Sequence, residues 1–262
     1  MATGTLVTYD LVDGAIAVLT FNRPEKMNAL STALLAEFEA HLQTIERDPA
    51  VRVAILTGAG GKAFVAGADI TEYSQQGFDA FVSYQLNSRR LFDWLEAFPK
   101  PTIAAINGYA LGGGFEIALC CDVLVVSTSA RLGLPEGTLG LSPGGGGTQR
   151  LTRAVGRYAA ADVLLSGRRL SGQRAYELGL AAEVVEPDTL LDAALSKARY
   201  MLRIAPLAAR EMKRLIRTGP DAALPTGLAL EQEVLFRLYN SRDAQEGIAA
   251  FVEKRDPRFV GE

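Results

Sequence analysis

Apolar residues recur along the first two-thirds of the chain in short blocks, which alternate with longer stretches of helical period. Residues 5–9 and 15–21 are rich in β-branched and other apolar side chains and flank a turn-like Asp-Gly pair, which predicts a hairpin. Residues 51–58 and 123–128 have the composition of buried strands. Because such strands alternate with helices, the pattern predicts an α/β protein with a largely parallel sheet.

The helical pattern is clearest at two places inside this alternation and throughout the C-terminal part. Ser31 is a suitable N-cap for a helix to about residue 47, and a second helical pattern covers about 78–97. After about residue 188 only helical periods remain, at roughly 188–203, 206–218, 221–240 and 242–254. Four helices without a strand predict an appendage that packs on the core or on a neighbouring subunit.

The overall composition is that of an ordinary globular protein. Of the 262 residues 48% are hydrophobic and 22% are charged, and the formal net charge is −3. This charge gives no support for a nucleic-acid partner, although a local basic patch stays open. A chain of this length favours one core with an appendage over two full domains.

Several features favour a reduced, cytoplasmic setting with no membrane attachment. The first residues contain no basic segment followed by an apolar block, so no secretory signal is expected. The only two cysteines, Cys120 and Cys121, are adjacent and are expected to be small core residues rather than a disulfide. The most apolar stretch, 101–126, is interrupted by glycines, Glu116 and Asp122, which favours a buried core segment over a membrane span.

The sequence ALGGGFE at 110–116 places three consecutive glycines just before a glutamate. A helix start carries unpaired N–H groups and the positive end of the helix dipole, and glycines let another group approach them closely. If the helix begins at the glycines, Gly113 and Glu116 share one face, so that a main-chain donor lies beside a carboxylate. That pairing suits the stabilisation of an enolate. Neither this block nor SPGGGGT at 142–148 has the spacing and lysine of a phosphate-binding loop.

Three blocks together resemble the signature of the enoyl-CoA hydratase/isomerase, or crotonase, superfamily. They are FVAGADI at 64–70, INGYALGGGFEIALCCD at 106–122 and LGLPEGTLGLSPGGGGTQRL at 132–151, in the family's order and spacing. The resemblance begins with FNRPEKMNAL at 21–30 and ends with EGIAAFVEKRDPRF at 246–259, and so covers nearly the whole chain.

The resemblance implies a crotonase-like α/β spiral of ββα repeats at 1–200 and an all-helical trimerisation region at 201–262. Such chains commonly assemble as trimers or as dimers of trimers. The shared chemistry of the family is stabilisation of an acyl-CoA thioester enolate by two main-chain N–H groups, and the matching positions here are Ala68 and Gly113. The glycines before Glu116 would then let the thioester oxygen reach the helix N-terminus.

Two glutamates distinguish the hydratases within this family, and the chain has both, Glu116 and Glu136. Addition of water to a 2-enoyl thioester needs a base that activates the water for attack at C3 and an acid that protonates C2. The resemblance assigns Glu116 mainly to the base, Glu136 to the acid, and the N–H of Gly144 to orientation of the water. The implied activity is reversible hydration of 2-enoyl-CoA in fatty acid or related acyl-CoA degradation, without a metal or redox cofactor.

Further contacts with the CoA part of the substrate are implied with less support from the residues. Ala66, Asp69 and Ile70 lie in the segment that runs along CoA in relatives, although Asp69 could equally be a helix cap. Thr71 stands where many relatives carry a lysine, which weakens a charge contact with the CoA phosphates there. Lys254 matches a lysine that reaches CoA from a neighbouring subunit, and an exposed, solvated lysine is an equal alternative.

The remaining polar residues carry no evident chemistry. His41, the only histidine, lies away from every block and is expected at the surface or half-buried, so no Ser-His or Cys-His pair is available. The basic stripe from Arg210 to Arg217, which includes Lys213 and Arg214, has helical spacing and is most simply a solvated face. No group of residues has metal-ligand spacing.

The acyl pocket and the exact reaction stay open at this level. The pocket wall is expected from about 72–98, including Tyr73, Phe78, Phe81 and Trp94, and from the C-terminal helices. One alternative is an enoyl-CoA isomerase, or a hydratase of branched or cyclic acyl-CoA, on the same fold. Another is a non-catalytic acyl-CoA- or RNA-binding protein, which the presence of both glutamates argues against.

Overall fold

A computed structural model describes residues 4–72, 74 and 76–262 of the protein. Tyr73, predicted for the pocket wall, lies outside the described residues. The strands are β1 (Val7–Val12), β2 (Ile16–Phe21), β3 (Val53–Gly58), β4 (Ala63–Val65), β5 (Thr102–Ile106), β6 (Tyr109–Leu111), β7 (Val123–Ser127), β8 (Arg131–Gly133), β9 (Leu170–Ser171) and β10 (Glu183–Val185). The helices are α1 (Thr32–Arg47), α2 (Phe78–Glu96), α3 (Gly113–Cys120), α4 (Gly147–Ser166), α5 (Gly172–Glu177), α6 (Leu190–Met201), α7 (Pro206–Thr218), α8 (Leu224–Tyr239) and α9 (Arg242–Glu253).

The strands form two sheets. The larger has the order β1-β2-β3-β5-β7-β10 and is parallel except for the β1–β2 hairpin, in which Val7 pairs with Phe21 and Val12 with Ile16. The smaller has the order β4-β6-β8-β9, and its β8–β9 pair is antiparallel. The predicted hairpin and the largely parallel α/β class are confirmed.

Both faces of the larger sheet are buried, and this explains the near-continuous apolar strands. Along β2, Ala17 and Leu19 face the main core, which includes α1, α2 and α3, while Ile16 and Val18 face the opposite side. The opposite side is covered by α6 through apolar residues that include Leu190. The predicted helix 188–203 therefore belongs to the body of the sheet domain rather than to the appendage.

The first helix begins and buries its apolar stripe as the sequence predicts. Ser31 Oγ accepts a hydrogen bond from the N–H of Leu34 at 3.1 Å, which satisfies one of the unpaired donors of the first turn. The stripe that begins at Leu34 and ends at Ile45 is fully buried against the sheet. A local cap and a period of 3.6 residues were sufficient to place this element.

The single histidine and the cysteines also lie as expected. His41 is half-buried, and its Nε2–H donates to the carbonyl of Val7 at 2.9 Å. Cys120 and Cys121 are buried and free. Among the described residues, none of the helices combines the length and the apolar character that a membrane crossing requires.

The interpretation of the basic stripe on α7 as a solvated face is wrong at Lys213, although Arg217 is exposed. The side chain of Lys213 is only 8% exposed, and its Nζ donates to Oδ2 of Asp122 at 2.7 Å and to the carbonyl of Lys100 at 3.2 Å. Asp122 follows α3 directly, so the ion pair fastens α7 to the end of the helix that carries the glycine block. The partners are 91 residues apart, and helical spacing alone could not reveal their contact.

We predict that Lys213→Met lowers the free energy of unfolding by about 2 kcal/mol, because it removes the charge-assisted hydrogen bond from the buried Nζ of Lys213 to Asp122, whose own side chain is 29% exposed. Methionine has a similar apolar side chain, so the loss of stability measures the removal of the charge rather than the creation of a cavity. Arg217→Met, on the exposed part of the same helix, is the control and should change stability by no more than about 0.5 kcal/mol. Urea unfolding of both variants at neutral pH measures the difference, and equal stabilities would contradict an anchoring role of the ion pair.

Candidate active site

The turns that follow β4 and β6 lie side by side. The two strands are parallel, with Val65 opposite Ala110, so their carboxyl ends meet at the same edge of the smaller sheet. Residues 66–68 leave β4 at this edge, and β6 leads through Gly112 into α3. Residues that are 45 positions apart in sequence are thereby brought into one place.

The main-chain N–H groups of Ala68 and Gly113 are neighbours there. A β-carbon added at Gly113 would lie 3.9 Å from the nitrogen of Ala68. Leu30 donates to the carbonyl of Gly67 and accepts from Asp69, at 2.8 Å each. Because successive peptide groups of an extended segment point to opposite sides, the N–H of Ala68 points away from Leu30. Within the described residues, neither Ala68 nor Gly113 donates to another main-chain group, so two unpaired donors lie together at the start of α3.

The consecutive glycines allow three parts of the structure to approach one another. Gly112 has a φ of 51°, in the left-handed region, and a β-carbon there would lie 3.1 Å from Oε1 of Glu136. A β-carbon at Gly114 would overlap the carbonyl of Val65 in β4. The glycines therefore let α3 start directly against β4 and leave space for a carboxyl group beside its first turn.

Glu116 lies in the first turn of α3 and is 3% exposed. Its Oε1 accepts a hydrogen bond from the N–H of Gly147 at 2.8 Å, and the N–H of Gly145 donates to the same carboxyl group. Burial raises the pKa of Glu116, and the two N–H donors, together with Arg150 and Arg89, offset part of that effect. The carboxylate is thus held in place in a dry environment, where it is a stronger base than an exposed glutamate.

Glu136 lies in the short helical turn Pro135–Leu139, on the other side of Gly112. Its Oε2 is buried and has no hydrogen-bond partner among the described residues. Burial raises the pKa of Glu136 to about 7, and repulsion by Glu116 adds to the effect. A carboxyl group with this pKa is populated in both protonation states near neutral pH, so it can deliver a proton as well as take one.

The two glutamates and the two donors open into one cavity of about 520 Å³, a volume typical of small-molecule sites. The predicted site residues that line it are Ala66, Ala68, Ile70, Gly113, Glu116, Glu136 and Gly144. The fold therefore gathers most of the predicted set, while the role of each residue stays a prediction. Among the described residues, no group of three or more His, Cys, Asp or Glu could hold a metal ion.

The predicted pocket wall on α2 is only partly right. Phe81 lines the cavity, as do Gln85 and Phe92 on the same helix face. Trp94 instead packs against Phe98 in the core, with ring centroids 6.0 Å apart, and Phe78 is exposed at the start of the helix. Composition identified the helix, but only the packing of α2 decides which aromatic residues face the cavity.

Asp69 and Lys254 do not line the cavity of this chain. The Asp69 carboxylate forms an ion pair with Arg23 at 3.0 Å and accepts from both the hydroxyl and the N–H of Thr71, which lowers its pKa. These contacts favour the local capping alternative for Asp69. Lys254 is exposed just after α9 with a φ of 56°, and its contact from a neighbouring subunit stays a prediction.

The sequence did not identify Gly145 and Gly147 as the donors to Glu116. Their bond to the carboxylate spans about thirty residues, and a run of four glycines does not indicate which N–H groups point at which partner. The resemblance singled out Gly144, which lines the cavity next to the side chain of Gln85. The only sequence signal for the missed donors was the length of the glycine run itself.

Comparison with known proteins agrees with this fold and this cavity. The family model described as enoyl-CoA hydratase/isomerase matches residues 12–262. The chain therefore belongs to the enoyl-CoA hydratase/isomerase family, and the resemblance seen in the sequence blocks is confirmed.

Similar proteins span nearly the whole chain. The 2,3-dehydroadipyl-CoA hydratase of Escherichia coli is 44% identical and aligns over 94% of this chain and 95% of its own length. The short-chain-enoyl-CoA hydratase of Clostridium acetobutylicum is 40% identical over 93% of both chains. The crystal structure of an enoyl-CoA hydratase from Bacillus anthracis superimposes with a TM-score of 0.95 at 40% identity and covers 98% of this chain and all of its own. These matches confirm the predicted fold class.

Because the pKa of Glu136 is raised in the folded protein, we predict that ionisation of this carboxyl group lowers the stability of the protein at high pH. The folded protein retains a proton on Glu136 up to about pH 7, whereas the unfolded chain releases it near the ordinary value of 4.5. Between these values the folded state binds more protons, so its stability falls as the pH rises. Glu136→Gln removes the buried charge and should therefore melt at a higher temperature than the parent protein at about pH 8, and with little difference at about pH 5.

Thermal unfolding of the two proteins at both pH values measures this effect. Glu177→Gln, in which the changed residue is exposed on α5, serves as the control and should show no such dependence on pH. A parent protein as stable as Glu136→Gln at the higher pH would mean that the carboxyl group ionises without penalty, contrary to its burial.

Proposed function

We propose that the protein is a 2-enoyl-CoA hydratase, which adds water reversibly and in syn fashion across the C2=C3 bond to give a 3-hydroxyacyl-CoA. The observation that carries the proposal is the arrangement of two buried carboxyl groups, Glu116 and Glu136, on one cavity beside two unpaired main-chain donors. Family membership and the names of the relatives support the same reaction. An isomerase of this family would not require the first glutamate.

The N–H groups of Ala68 and Gly113 would bind the thioester oxygen. Attack of water at C3 sends negative charge through C2 to that oxygen, and the positive end of α3 lies where the charge develops. The donors are fixed by the sheet edge before substrate arrives, so no reorganisation is needed during the reaction. One donor of this kind is typically worth about 3 kcal/mol of transition-state stabilisation.

The two glutamates would divide the proton transfers. Glu116, buried and held by two N–H groups, takes a proton from the water while the water oxygen bonds to C3. Glu136, with a pKa of about 7, is available in protonated form and gives its proton to C2 of the enolate. The N–H of Gly144, which lies on the cavity wall, would orient the water between them. The reverse reaction uses the same groups in exchanged roles.

The substrate class is a 2-enoyl thioester of CoA, in fatty acid or related acyl-CoA degradation. Relatives are named for 2,3-dehydroadipyl-CoA, short-chain enoyl-CoA and crotonyl-CoA, which share the conjugated thioester and differ in the acyl chain. Ala66 and Ile70 are proposed to contact the CoA part, and so is Lys254 from a neighbouring subunit. Neither a metal nor a redox cofactor is part of the proposal, and the free cysteines support a cytoplasmic location.

The purified protein should consume a short 2-enoyl-CoA, with loss of the absorbance of the conjugated thioester, and a chelator should have no effect. Glu116→Gln should abolish hydration but retain slow exchange of the C2 proton or isomerisation, because Glu136 and the donor pair remain. Glu136→Gln should abolish both. Each loss should reach at least about 100-fold in kcat, as expected when a general acid or base is removed.

Straight, branched and cyclic 2-enoyl-CoA substrates form the test panel, with Glu177→Gln as the matched control. No turnover of any of them, while CoA thioesters still bind, would favour the binding-protein alternative. Hydration by Glu116→Gln within a few fold of the parent would refute the two-glutamate mechanism even if the enzyme is a hydratase.

We also propose that the chain works as a trimer or a dimer of trimers assembled through the C-terminal helices. The exposed side chains of α8 and α9 include Phe236 at 62%, Tyr239 at 59%, Phe251 at 85% and Val252 at 74%. Apolar side chains of this size gathered on two helices are typical of an interface rather than of a monomer surface. A neighbouring copy would cover them and would bring its Lys254 close to this cavity.

Light scattering at micromolar concentration should give the mass of three or six subunits. Phe236→Glu combined with Phe251→Glu should lower that mass, because each change buries a charge in the assembled form and costs nothing in an isolated chain. Leu11→Glu, at an exposed position on β1, should leave the mass unchanged. A parent protein that is monomeric and fully active would overturn the proposal, together with the contact of Lys254 across subunits.

A further inference from the structure

Arg150, in the first turns of α4, makes an unusual set of contacts for an arginine outside the cavity. Its Nη1 donates to the carbonyl of Gly145 at 2.6 Å. Its Nε and Nη2 donate to the two oxygens of Glu96 at 3.0 and 2.7 Å, and Nη2 also reaches Asp93 at 2.8 Å. The Arg150 side chain is 10% exposed, and its contacts with Gly145 and Glu96 are partly buried, whereas the Asp93 side chain is 48% exposed.

The carbonyl of Gly145 belongs to the loop that holds Glu116. The N–H of Gly145 and the N–H of Gly147 both donate to the Glu116 carboxyl group, and Gly146 between them has a φ of 106°. Three consecutive glycines have more conformational freedom than any other tripeptide, so this loop would not keep two N–H groups aimed at one carboxylate by itself. Arg150 binds the same loop through the carbonyl of Gly145.

The close approach of Arg150 and of Glu116 to the loop requires glycine at positions 145 and 146. A β-carbon at Gly146 would overlap Nη1 of Arg150, and one at Gly145 would lie 2.5 Å from Oε2 of Glu116 and 2.6 Å from the ring of Phe92. The glycine peptides therefore lie in close contact with the guanidinium and with the carboxylate.

The other end of the guanidinium is fixed by α2, the helix whose face lines the cavity. Glu96 receives a two-point contact, the geometry in which an arginine is most strictly oriented. The chain of contacts thus runs from α2 through Arg150 and the glycine loop to the carboxyl group of Glu116. Arg150 itself does not line the cavity, but it contacts Gly145, which does.

We propose that Arg150, oriented by Glu96, is a positioning residue for Glu116: it fixes the glycine loop so that the N–H groups of Gly145 and Gly147 hold that carboxylate in its reactive orientation. This inference rests on the proposed hydratase function. The alternative is a purely structural role, in which Arg150 joins α4 to α2 and has no influence on the carboxylate.

The two roles differ in their effect on the pH profile. The charged and titratable groups near the Glu116 carboxylate are Arg150 on α4, Arg89 on α2, Glu136 in the turn 135–139 and Cys120 on α3. Arg150 and the two N–H donors keep the pKa of Glu116 below the value that burial alone would give. Their loss raises the pKa of Glu116, so the acid limb of kcat/KM for hydration, which requires the ionised base, moves to higher pH.

The experiment compares the full-length parent with Arg150→Gln, Arg150→Lys and Glu96→Gln on a 2-enoyl-CoA that the parent hydrates. Arg150→Gln should lower kcat by about 100-fold with little change in KM, as expected for a displaced catalytic group, and should move the acid limb to higher pH. Glu96→Gln should change both quantities in the same direction but less. Arg150→Lys, which keeps the charge but cannot make the two-point contact, should recover only part of the loss.

Arg153→Gln is the matched control, because Arg153 lies on the same helix, its side chain is 58% exposed, and its ion pair with Asp221 is at the surface, away from the glycine loop. It should match the parent in kcat and in pH profile. If Arg150→Gln does not fold, Glu96→Gln takes its place in the same comparison. A fall in melting temperature without any change in kcat or in the acid limb would establish the structural role and overturn the proposal. A parent without hydratase activity would instead refute the proposed function, so the two failures are distinguishable.

Discussion

The parallel pairing of β4 and β6 is the constraint on which the candidate site depends. It brings the carboxyl ends of two strands to one sheet edge, so that the turn at 66–68 and the start of α3 lie side by side. The donor pair and the place of Glu116 follow from this edge. The N–H of Gly113 becomes a neighbour of that of Ala68, and the first turn of α3 carries Glu116 to the same cavity. An aligned pair of donors at a helix N-terminus is costly to leave unpaired, which is why a ligand oxygen with developing negative charge fits it.

The two glutamates illustrate how environment separates similar side chains. Glu116 is the more deeply buried, but its carboxylate is compensated by N–H donors and by nearby arginines, so the ionised form is supported. Glu136 is less buried, but burial raises its pKa to about 7 and repulsion by Glu116 adds to the effect, while its Oε2 has no partner among the described residues, so both protonation states are populated near neutral pH. Burial raises the pKa of both groups, but donors and arginines offset it only at Glu116, and this difference lets the two carboxyl groups act as base and acid in one reaction.

Local features were predictable from the sequence and long-range contacts were not. The cap at Ser31 and the common face of Gly113 and Glu116 depend on spacings of three residues, which the helix itself dictates. The bond from Gly147 to Glu116 depends on how α4 packs, and the burial of Lys213 depends on a carboxylate far away along the chain. The resemblance supplied the members of the site, but it did not supply the glycine donors, the arginine behind them or the aromatic residues that face the cavity.

The site also explains where the fold must be rigid. The site is built from glycine-rich segments, which lose much conformational entropy on folding, and from carboxyl groups, whose burial is unfavourable. Both effects lower the stability of the folded state. The opposing contribution comes from elements that take no part in the chemistry: a parallel sheet buried on both faces, α6 across one of them, and the ion pair of Lys213 that fastens α7 to the end of α3. A well-packed body of this kind can hold strained turns and partly unsatisfied polar groups in fixed positions. The glycine loop has no side chains of its own to pack, so its conformation must be fixed by contacts with neighbouring elements. Arg150 makes such a contact, because it binds both the carbonyl of Gly145 in the loop and the carboxylate of Glu96 on α2.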